Sequence, residues 1–245
     1  MPDAPKQGAA DWAEHSILQL IGWFYGLARV LMAPNQALVD LLAHLTGKQT
    51  FLMQRGADTV LFNPAKRTRE DGPFTLGYVG RVTPEKSVRL LADVERSLIA
   101  SGIQDFRFLI VGDGSEREWL QSNLKNADFA GVLSGEALAQ AYANMDLFVF
   151  PSETDTFGNV ILEAFASGVP VVVTASGGPK FLVREGDTGM VAPTPEAFIS
   201  SVQQIMANPQ LHARMRVAAR NHALSMSWDS VFEKVQEVYR VCLSM

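Results

Sequence analysis

Short runs of continuous hydrophobic residues alternate with segments of helical hydrophobic spacing from Phe74 onward. The run Leu147–Phe150 contains no polar residue and stops at Pro151, and residues 160–165 then place hydrophobic side chains on a helical repeat. Continuous apolar runs of about four to eight residues are typical of strands that are buried on both faces. The alternation therefore predicts an α/β fold, with a doubly wound parallel sheet covered by helices.

The earlier part of the chain has a different, mostly helical pattern. Residues 16–45 are rich in Leu, Ile, Trp and Ala, with Pro34 and Asn35 between two helical segments, and residues 50–53 have the composition of a short strand. The polar segment 69–73 then marks a boundary, because it combines charged residues with Gly and Pro.

Three parts are expected from this pattern. Residues 1–71 form a mostly helical N-terminal part, residues 72–225 form the parallel-sheet domain, and residues 226–245 form a C-terminal helix. The helix is expected to begin near Trp228, where apolar residues again recur at helical spacing.

Composition excludes several classes of protein. The chain has 245 residues, of which 47% are hydrophobic and 19% charged, so it is long enough to bury a full globular core. A net charge of -5 and the lack of a long basic run argue against a nucleic-acid surface. Cys242 is the single cysteine, which excludes a disulfide within the chain and suits a reducing cytoplasm. The histidines show no metal-ligand spacing, and no metal site is expected.

The segment 16–32 is the most apolar part of the chain, so we considered a membrane helix. It is shorter than the roughly 20 apolar residues that a spanning helix needs, and Gln19 and Arg29 interrupt it. We therefore expect a cytoplasmic protein. Two alternatives remain open for this segment: peripheral contact with the inner face of a membrane, and packing against a further domain.

The segment 155–163 carries the strongest chemical signal, because it joins a buried strand to a helix. Loops of this kind lie at the carboxyl edge of a parallel sheet, where ligands bind. Backbone amides of Phe157, Gly158 and Asn159 are expected there at a positive helix end, which suits phosphate or sugar oxygens. Glu163, about one turn further, can accept hydrogen bonds from a ribose diol, and Asp155 can hold another hydroxyl. The alternative is a solvated cap and an exposed helix residue.

A second loop follows the predicted strand Phe74–Val79. Gly80 turns the chain, and Thr83 with Pro84 resembles the start of a helix. Arg81 and Lys86 then stand near a helix N-terminus, where cations are unfavourable unless an anion joins them.

A diphosphate would be a suitable anion for these two cations. The alternative interpretation is an ordinary surface pair of Glu85 with Lys86, and a solvated Arg81.

A third loop, after the predicted strand Phe106–Val111, is also glycine-rich. Gly112 and Gly114 are expected to let the backbone approach a ligand closely. This segment is not the dinucleotide-binding fingerprint, because Arg117 occupies the place of its third glycine.

The two motifs Gly80-Arg81 to Lys86 and Asp155 to Glu163 together resemble the donor-binding half of family-four retaining glycosyltransferases, which have the GT-B fold. The resemblance covers about residues 74–193. It implies that Arg81 and Lys86 bind the diphosphate and stabilise it as the leaving group. It further implies that Glu163 holds the ribose hydroxyls and that Asp155 lies near the hydroxyls of the transferred sugar.

The same resemblance assigns roles to three further segments. The Phe157 to Asn159 amides would contact the sugar or the distal phosphate, and Val132 and Leu133 would lie against the nucleobase. A core strand is an equally good interpretation of Val132 and Leu133. The turn Gly177-Gly178-Pro179 would line the sugar side, unless it only connects two elements. The family more often has Glu than Asp at the position of Asp155.

The function that the resemblance implies is transfer of a hexosyl group from a nucleoside-diphosphate sugar, with retention of configuration and without a metal or cofactor. UDP is the mildly preferred nucleotide and GDP the second choice, and the acceptor is a lipid or glycan. The bulk of an acceptor domain is missing from residues 1–71, so we expect the chain alone to bind the nucleotide weakly and to be inactive. A non-catalytic nucleotide-sugar-binding module and a nucleotide-sugar epimerase of the same fold are the alternatives.

Overall fold

A computed structural model describes the backbone of residues 7–245 and the side chains of residues 16–245. Its eight strands are β1 (Val30–Ala33), β2 (Gln49–Leu52), β3 (Phe74–Val79), β4 (Phe106–Val111), β5 (Ala127–Gly131), β6 (Leu147–Phe150), β7 (Val171–Thr174) and β8 (Gly189–Ala192). The α-helices in this part of the chain are α1 (Gln7–Gly26), α2 (Gln36–Thr46), α3 (Leu90–Ala100), α4 (Arg117–Asn123), α5 (Gly135–Ala143), α6 (Asn159–Ala166), α7 (Pro195–Ala207), α8 (Pro209–Leu224) and α9 (Trp228–Ser244). Three short 3₁₀ helices cover Pro64–Lys66, Pro84–Lys86 and Pro179–Phe181.

The chain divides into two compact units. The larger comprises Gly56–Trp228, and the smaller comprises the described residues up to Arg55 together with Asp229–Met245.

A six-stranded parallel sheet forms the centre of the larger unit, in the order β5-β4-β3-β6-β7-β8. The two central strands explain why the sequence signal is strong, because all four residues of β6 and five of the six in β3 are buried. This sheet, with helices between its strands, confirms the predicted doubly wound fold. The chain order reverses between β3 and β6, and the crevice beside such a reversal is where α/β sheets bind ligands.

Aromatic residues fill the core next to this crevice. Tyr78 of β3 stacks on Phe150 of β6 with a ring separation of 6.0 Å, and Phe150 stacks in turn on Phe148 at 5.8 Å. All three side chains are fully buried or nearly so. The ends of β3 and β6 are therefore held together by ring packing as well as by the backbone ladder.

Asp146 ties the opposite, amino edge of the same two strands to the segment that precedes β3. Its carboxylate accepts hydrogen bonds from the Thr75 amide at 2.8 Å and from Arg67 Nη2 at 2.8 Å, and it also pairs with Arg69. Burial alone would raise the pKa of the Asp146 carboxyl. The hydrogen bonds from Thr75 and Arg67, with the charges of Arg67 and Arg69, outweigh burial and lower it.

The smaller unit contains a parallel pair of strands, β1 and β2, with α1, α2 and α9. The helix α2 starts where Asn35 accepts a hydrogen bond from the Leu38 amide. Pro34 and Asn35 lie between α1 and α2 as predicted, but the element directly before them is strand β1 and not a helix. The expected strand at 50–53 is present one residue earlier. Strand β1 was missed, because four apolar residues that follow an apolar helix do not change the hydrophobic period visibly.

Helix α1 exposes much of its apolar surface within the smaller unit. Ile17, Leu20, Trp23 and Phe24 are each more than half exposed. Among the residues that the structure describes, no helix is both long and apolar enough to cross a membrane.

We predict that Asp146→Asn lowers the free energy of unfolding by about 3 kcal/mol, because it leaves the partly buried guanidinium groups of Arg67, Arg69 and Arg216 without their anion. The folded-state pKa of Asp146 is lowered, so its contribution is present above an unfolded pKa of about 4 and is lost as the pH falls through the folded value. Urea denaturation at several pH values measures both effects. Asp128→Asn is the control, since its pair with Arg107 is exposed; an equal loss in both variants would contradict the prediction.

Candidate functional site

The loop after β3 differs in one respect from the expected helix start. Thr83 and Pro84 do begin a helical turn, but this turn is the 3₁₀ helix Pro84–Lys86, and α3 starts only at Leu90. Ser87 separates the two with a left-handed backbone (φ 51°), which interrupts the hydrogen-bond ladder of an α-helix. The interruption turns Lys86 inward, and only 8% of this residue is exposed.

The loops after β3 and β6 are joined by an ion pair between two of the predicted site residues. Lys86 Nζ lies 2.5 Å from Asp155 Oδ2, and the Lys86 side chain is 10% and the Asp155 side chain 27% exposed. A second contact joins the same loops, since Thr154 Oγ1 donates to the carbonyl of Glu85 at 3.1 Å. The interpretation of Lys86 as half of a Glu85 surface pair is therefore wrong.

Arg81 lies in the same loop as Lys86, two residues after the end of β3. Its side chain is 70% exposed and forms an ion pair with Glu85 at 3.2 Å. The Tyr78 hydroxyl donates to the Arg81 carbonyl at 2.7 Å, which fixes the backbone at this point. The two predicted cations thus differ, because Lys86 is buried and paired with Asp155, whereas Arg81 is exposed and can reorient in solvent.

Glu163 lies about one turn into α6 and is half-buried, so the interpretation of an exposed helix residue is wrong. Its Oε2 accepts a hydrogen bond of 2.9 Å from the hydroxyl of Tyr142. Burial raises the pKa of the Glu163 carboxyl, and the Tyr142 hydrogen bond opposes part of that rise. Tyr142 was missed by the sequence analysis. This residue lies near the end of the apolar helix α5, where nothing in the sequence indicates that its hydroxyl faces a carboxylate.

Gly158 supports the turn between the acidic loop and α6. It has a left-handed backbone (φ 67°) and directly precedes the first helical residue, Asn159. Phe157 is 39% exposed, and Asn159 is also exposed. These three residues form the N-terminal end of α6 as the sequence predicted, and Glu163 follows on the same helix.

The glycine-rich loop after β4 packs closely against the loop after β3. A Cβ atom on Gly112 would lie 1.9 Å from the Gly80 carbonyl oxygen, and one on Gly114 would lie 2.3 Å from that of Val82. The close approach in the structure is therefore between neighbouring loops. The Val82 amide also donates to the Asp113 carbonyl at 2.9 Å, so this loop supports the one that carries Lys86.

Val132 and Leu133 lie just beyond β5, which ends at Gly131. Val132 is 76% exposed and Leu133 is half-buried. Neither residue therefore lies in a strand, although Leu133 packs against the hydrophobic core. Both follow the carboxyl end of β5, at the same edge of the sheet as the other predicted residues.

The Gly177-Gly178-Pro179 turn packs directly against the acidic loop. The Gly178 amide donates to the Asp155 carbonyl at 2.6 Å. A Cβ atom on Gly178 would lie 1.9 Å from the Thr156 carbonyl oxygen, so only glycine fits here. The turn therefore does more than connect two elements, because it holds the backbone on which Asp155 is placed.

The described side chains contain no group of three or more His, Cys, Asp or Glu residues arranged to hold a metal ion. The loop after β3 carries the positive charges of Lys86 and Arg81 at the carboxyl edge of the sheet.

A sequence model of the family described as glycosyl transferases group 1 matches residues 73–208, which is more than half of the chain. The GDP-mannose-dependent alpha-mannosyltransferase of Mycobacterium tuberculosis is 36% identical over 243 residues, covering 94% of this chain and 60% of that protein. The enzyme of the same description from Corynebacterium glutamicum is 33% identical, covering 88% of this chain and 53% of that protein. The chain thus spans less than two thirds of the length of either relative.

Solved structures share the fold. The sucrose-phosphate synthase of Thermosynechococcus elongatus superposes with a TM-score of 0.77 at 24% sequence identity, over 94% of this chain and 62% of that one. At this level of identity the likeness supports the GT-B architecture and carries no information on substrate.

We predict that Gly178→Ala lowers stability by about 1–3 kcal/mol, because the added Cβ must push the Thr156 backbone away. The backbone of Gly178 is ordinary for any residue (φ -78°), so the cost is steric. Hydrogen–deuterium exchange should rise in residues 153–158 and stay unchanged in β4. Gly26→Ala is the control, since no atom lies within 4 Å of its added Cβ. Unchanged exchange in residues 153–158 would show that the turn does not hold the loop.

Proposed function

This chain belongs to the glycosyl transferases group 1 family, and from that premise we propose that it binds a nucleoside-diphosphate sugar and contributes the donor side of a hexosyl transfer. The observation that carries the proposal is the ion pair of Lys86 with Asp155 where the ends of β3 and β6 meet. A buried cation and an acid at a strand-order reversal form a charged cleft suited to a ligand that has both phosphate oxygens and hydroxyl groups.

The reaction breaks the bond between the anomeric carbon of the sugar and an oxygen of the distal phosphate. The anomeric carbon forms a new bond to an acceptor oxygen, which releases its proton to solvent, and the nucleoside diphosphate leaves with additional negative charge. Lys86 and Arg81 are the residues that we assign to this charge. Stabilisation of developing charge by fixed groups is a large catalytic effect, and here it needs no metal ion. We propose retention of configuration on the strength of the motif resemblance.

The remaining residues divide between the sugar and the nucleoside. Asp155 is assigned to hydroxyl groups of the transferred sugar, with the amides near Gly158 on sugar or phosphate oxygens. Glu163 is assigned to the ribose, and Val132 and Leu133 to the nucleobase. Exposure of Val132 supports this last assignment, since an apolar side chain at the sheet edge is available to a planar base.

We propose GDP-mannose as the donor, which reverses the order of UDP and GDP expected from the sequence. The support is that two relatives named as GDP-mannose-dependent mannosyltransferases are 36% and 33% identical over most of this chain. Residues 72–225 are proposed as the donor-binding domain, residues 1–71 as part of the acceptor side and residues 226–245 as the helix that returns to it. The acceptor is proposed to be a lipid or glycan.

The reaction products distinguish this proposal from the two alternatives, which are a non-catalytic binding module and an epimerase. Incubation of the chain with its full acceptor side and labelled GDP-mannose should give GDP and a mannosylated acceptor. A binding module would give neither product. An epimerase would change the configuration of the sugar without an acceptor.

We predict that Lys86→Ala weakens binding of GDP by at least tenfold, because a buried charge contact to phosphate is lost. Isothermal titration calorimetry with GDP and UDP, on wild type and variant, measures it. Lys125→Ala is the control, since this exposed lysine precedes β5 at the opposite edge of the sheet. Failure of the wild type to bind either nucleotide, or equal affinity in the Lys86→Ala variant, would remove the proposal.

Asp155→Asn should have a different effect, because it releases Lys86 from its partner and alters the contact to the sugar. We predict that affinity for GDP stays equal or rises, whereas the advantage of GDP-mannose over GDP falls severalfold. The ratio of the two affinities, measured in one calorimetric series, decides the point. Equal losses of affinity for GDP and GDP-mannose would show that Asp155 stabilises the loop and does not recognise the sugar.

A further inference from the structure

Tyr142 is a fully buried tyrosine whose hydroxyl faces the proposed ribose site. Its ring is packed between Phe62, at 5.6 Å in an edge-on arrangement, and Phe148 of β6 at 5.7 Å. The hydroxyl donates to Glu163 Oε2 at 2.9 Å. A ring clamped on two sides has little freedom to rotate, so the direction of its hydrogen bond is set by the core of the domain.

The chemistry of this pair leaves the tyrosine one role. Burial, together with the nearby Glu163 charge, raises the pKa of the Tyr142 hydroxyl well above its usual value, so the hydroxyl stays protonated and donates. Glu163 Oε1 has no hydrogen-bond partner among the described residues, although Oε2 has one. The carboxylate therefore has one oxygen held by the protein and one oxygen available.

We propose that Tyr142 is a positioning residue for Glu163: it holds one carboxylate oxygen so that the other is presented, in its charged form, to the ribose hydroxyls of the donor. This inference rests on the proposed function, because it takes Glu163 as the ribose ligand. Tyr142 acts through Glu163 and does not itself reach the nucleotide.

Two effects follow from the contact. It orients the carboxylate, which otherwise has free rotation about its last side-chain bonds. It also stabilises the charged form of Glu163, whose pKa is raised by burial. A protonated Glu163 would accept fewer hydrogen bonds from a diol, so both effects favour ribose binding.

The other polar groups near α6 do not replace this contact. Helix α8 packs on α6, but Arg216 donates to the Gly168 carbonyl and Arg220 to the Ala166 carbonyl. The His222 ring lies beside Phe165. These groups face the end of α6 that is remote from the acidic loop, and Tyr142 is the side chain that reaches Glu163 from α5.

The test is Tyr142→Phe, which removes the hydroxyl and keeps the ring. Calorimetry compares GDP with 2′,3′-dideoxy-GDP, which has no ribose diol. We expect the affinity for GDP to fall about tenfold and the affinity for the dideoxy compound to stay nearly constant, because a hydrogen bond to a charged group is lost on the ribose side alone. Equal losses for both nucleotides, or no loss for either, would overturn the inference.

Tyr78→Phe is the matched control, because it removes another buried hydroxyl, which donates to the Arg81 carbonyl next to the diphosphate site. It should change the two affinities by the same factor. A wild type that binds neither nucleotide would contradict the proposed function itself. A wild type that binds both equally would contradict the assignment of Glu163. If the wild type prefers GDP and Tyr142→Phe keeps that preference, the inference about Tyr142 is wrong while the proposed function still stands.

The pH dependence gives a readout that a merely structural role would not move. The preference for GDP over the dideoxy compound should weaken as Glu163 is protonated. Titration of the phosphates does not change the ratio of the two affinities, because both nucleotides carry the same diphosphate. Loss of the Tyr142 donor destabilises the carboxylate, so the midpoint of this weakening should move to higher pH. If Tyr142→Phe does not fold, incorporation of 3-fluorotyrosine provides a stronger donor of the same shape, and the midpoint should move to lower pH. An unmoved midpoint in either experiment would contradict the inference.

Discussion

The ion pair of Lys86 with Asp155 is the interaction on which the arrangement of the site depends. The two residues are 69 positions apart in sequence, and they meet because β3 and β6 are neighbours in the sheet. Parallel strands direct their carboxyl-end loops to one edge, and reversal of strand order separates the helices that follow. The position of the cleft thus results from the order of the strands. Its charged groups are Lys86 and Asp155, and a phosphorylated sugar can break their ion pair by binding to both.

Close contacts between backbones keep these loops in place. Gly112 lets its loop rest on Gly80, and Gly178 lets the turn after β7 rest on Thr156. Each glycine therefore positions a functional loop indirectly, because a side chain at either position would collide with the backbone of the neighbouring loop. Such contacts position the loop that carries a charged side chain without using the hydrogen bonds of that side chain.

Asp146 and Glu163, which lie at opposite edges of the sheet, show how stability and binding differ. Asp146, at the amino edge, is surrounded by the Thr75 amide and three arginines, and its pKa is lowered. Glu163, at the carboxyl edge, has a single tyrosine hydroxyl, and burial keeps its pKa raised. The fully satisfied group stabilises the fold. The partly satisfied group carries an energetic cost in the free protein that a ligand can relieve, as is common at functional sites.

The sequence by itself determined the parallel sheet, its central strands, the family and the identity of the charged residues, because hydrophobic period and short-range motifs are local properties of the chain. The match of the family model confirms the resemblance found from the two motifs. Only the tertiary structure decided that Lys86 pairs with Asp155, that Arg81 pairs with Glu85 and that Tyr142 faces Glu163. It also decided the short strand β1 and the 3₁₀ turn at Lys86. These features depend on which surfaces pack together in the folded protein, and the hydrophobic period of the sequence does not contain that information.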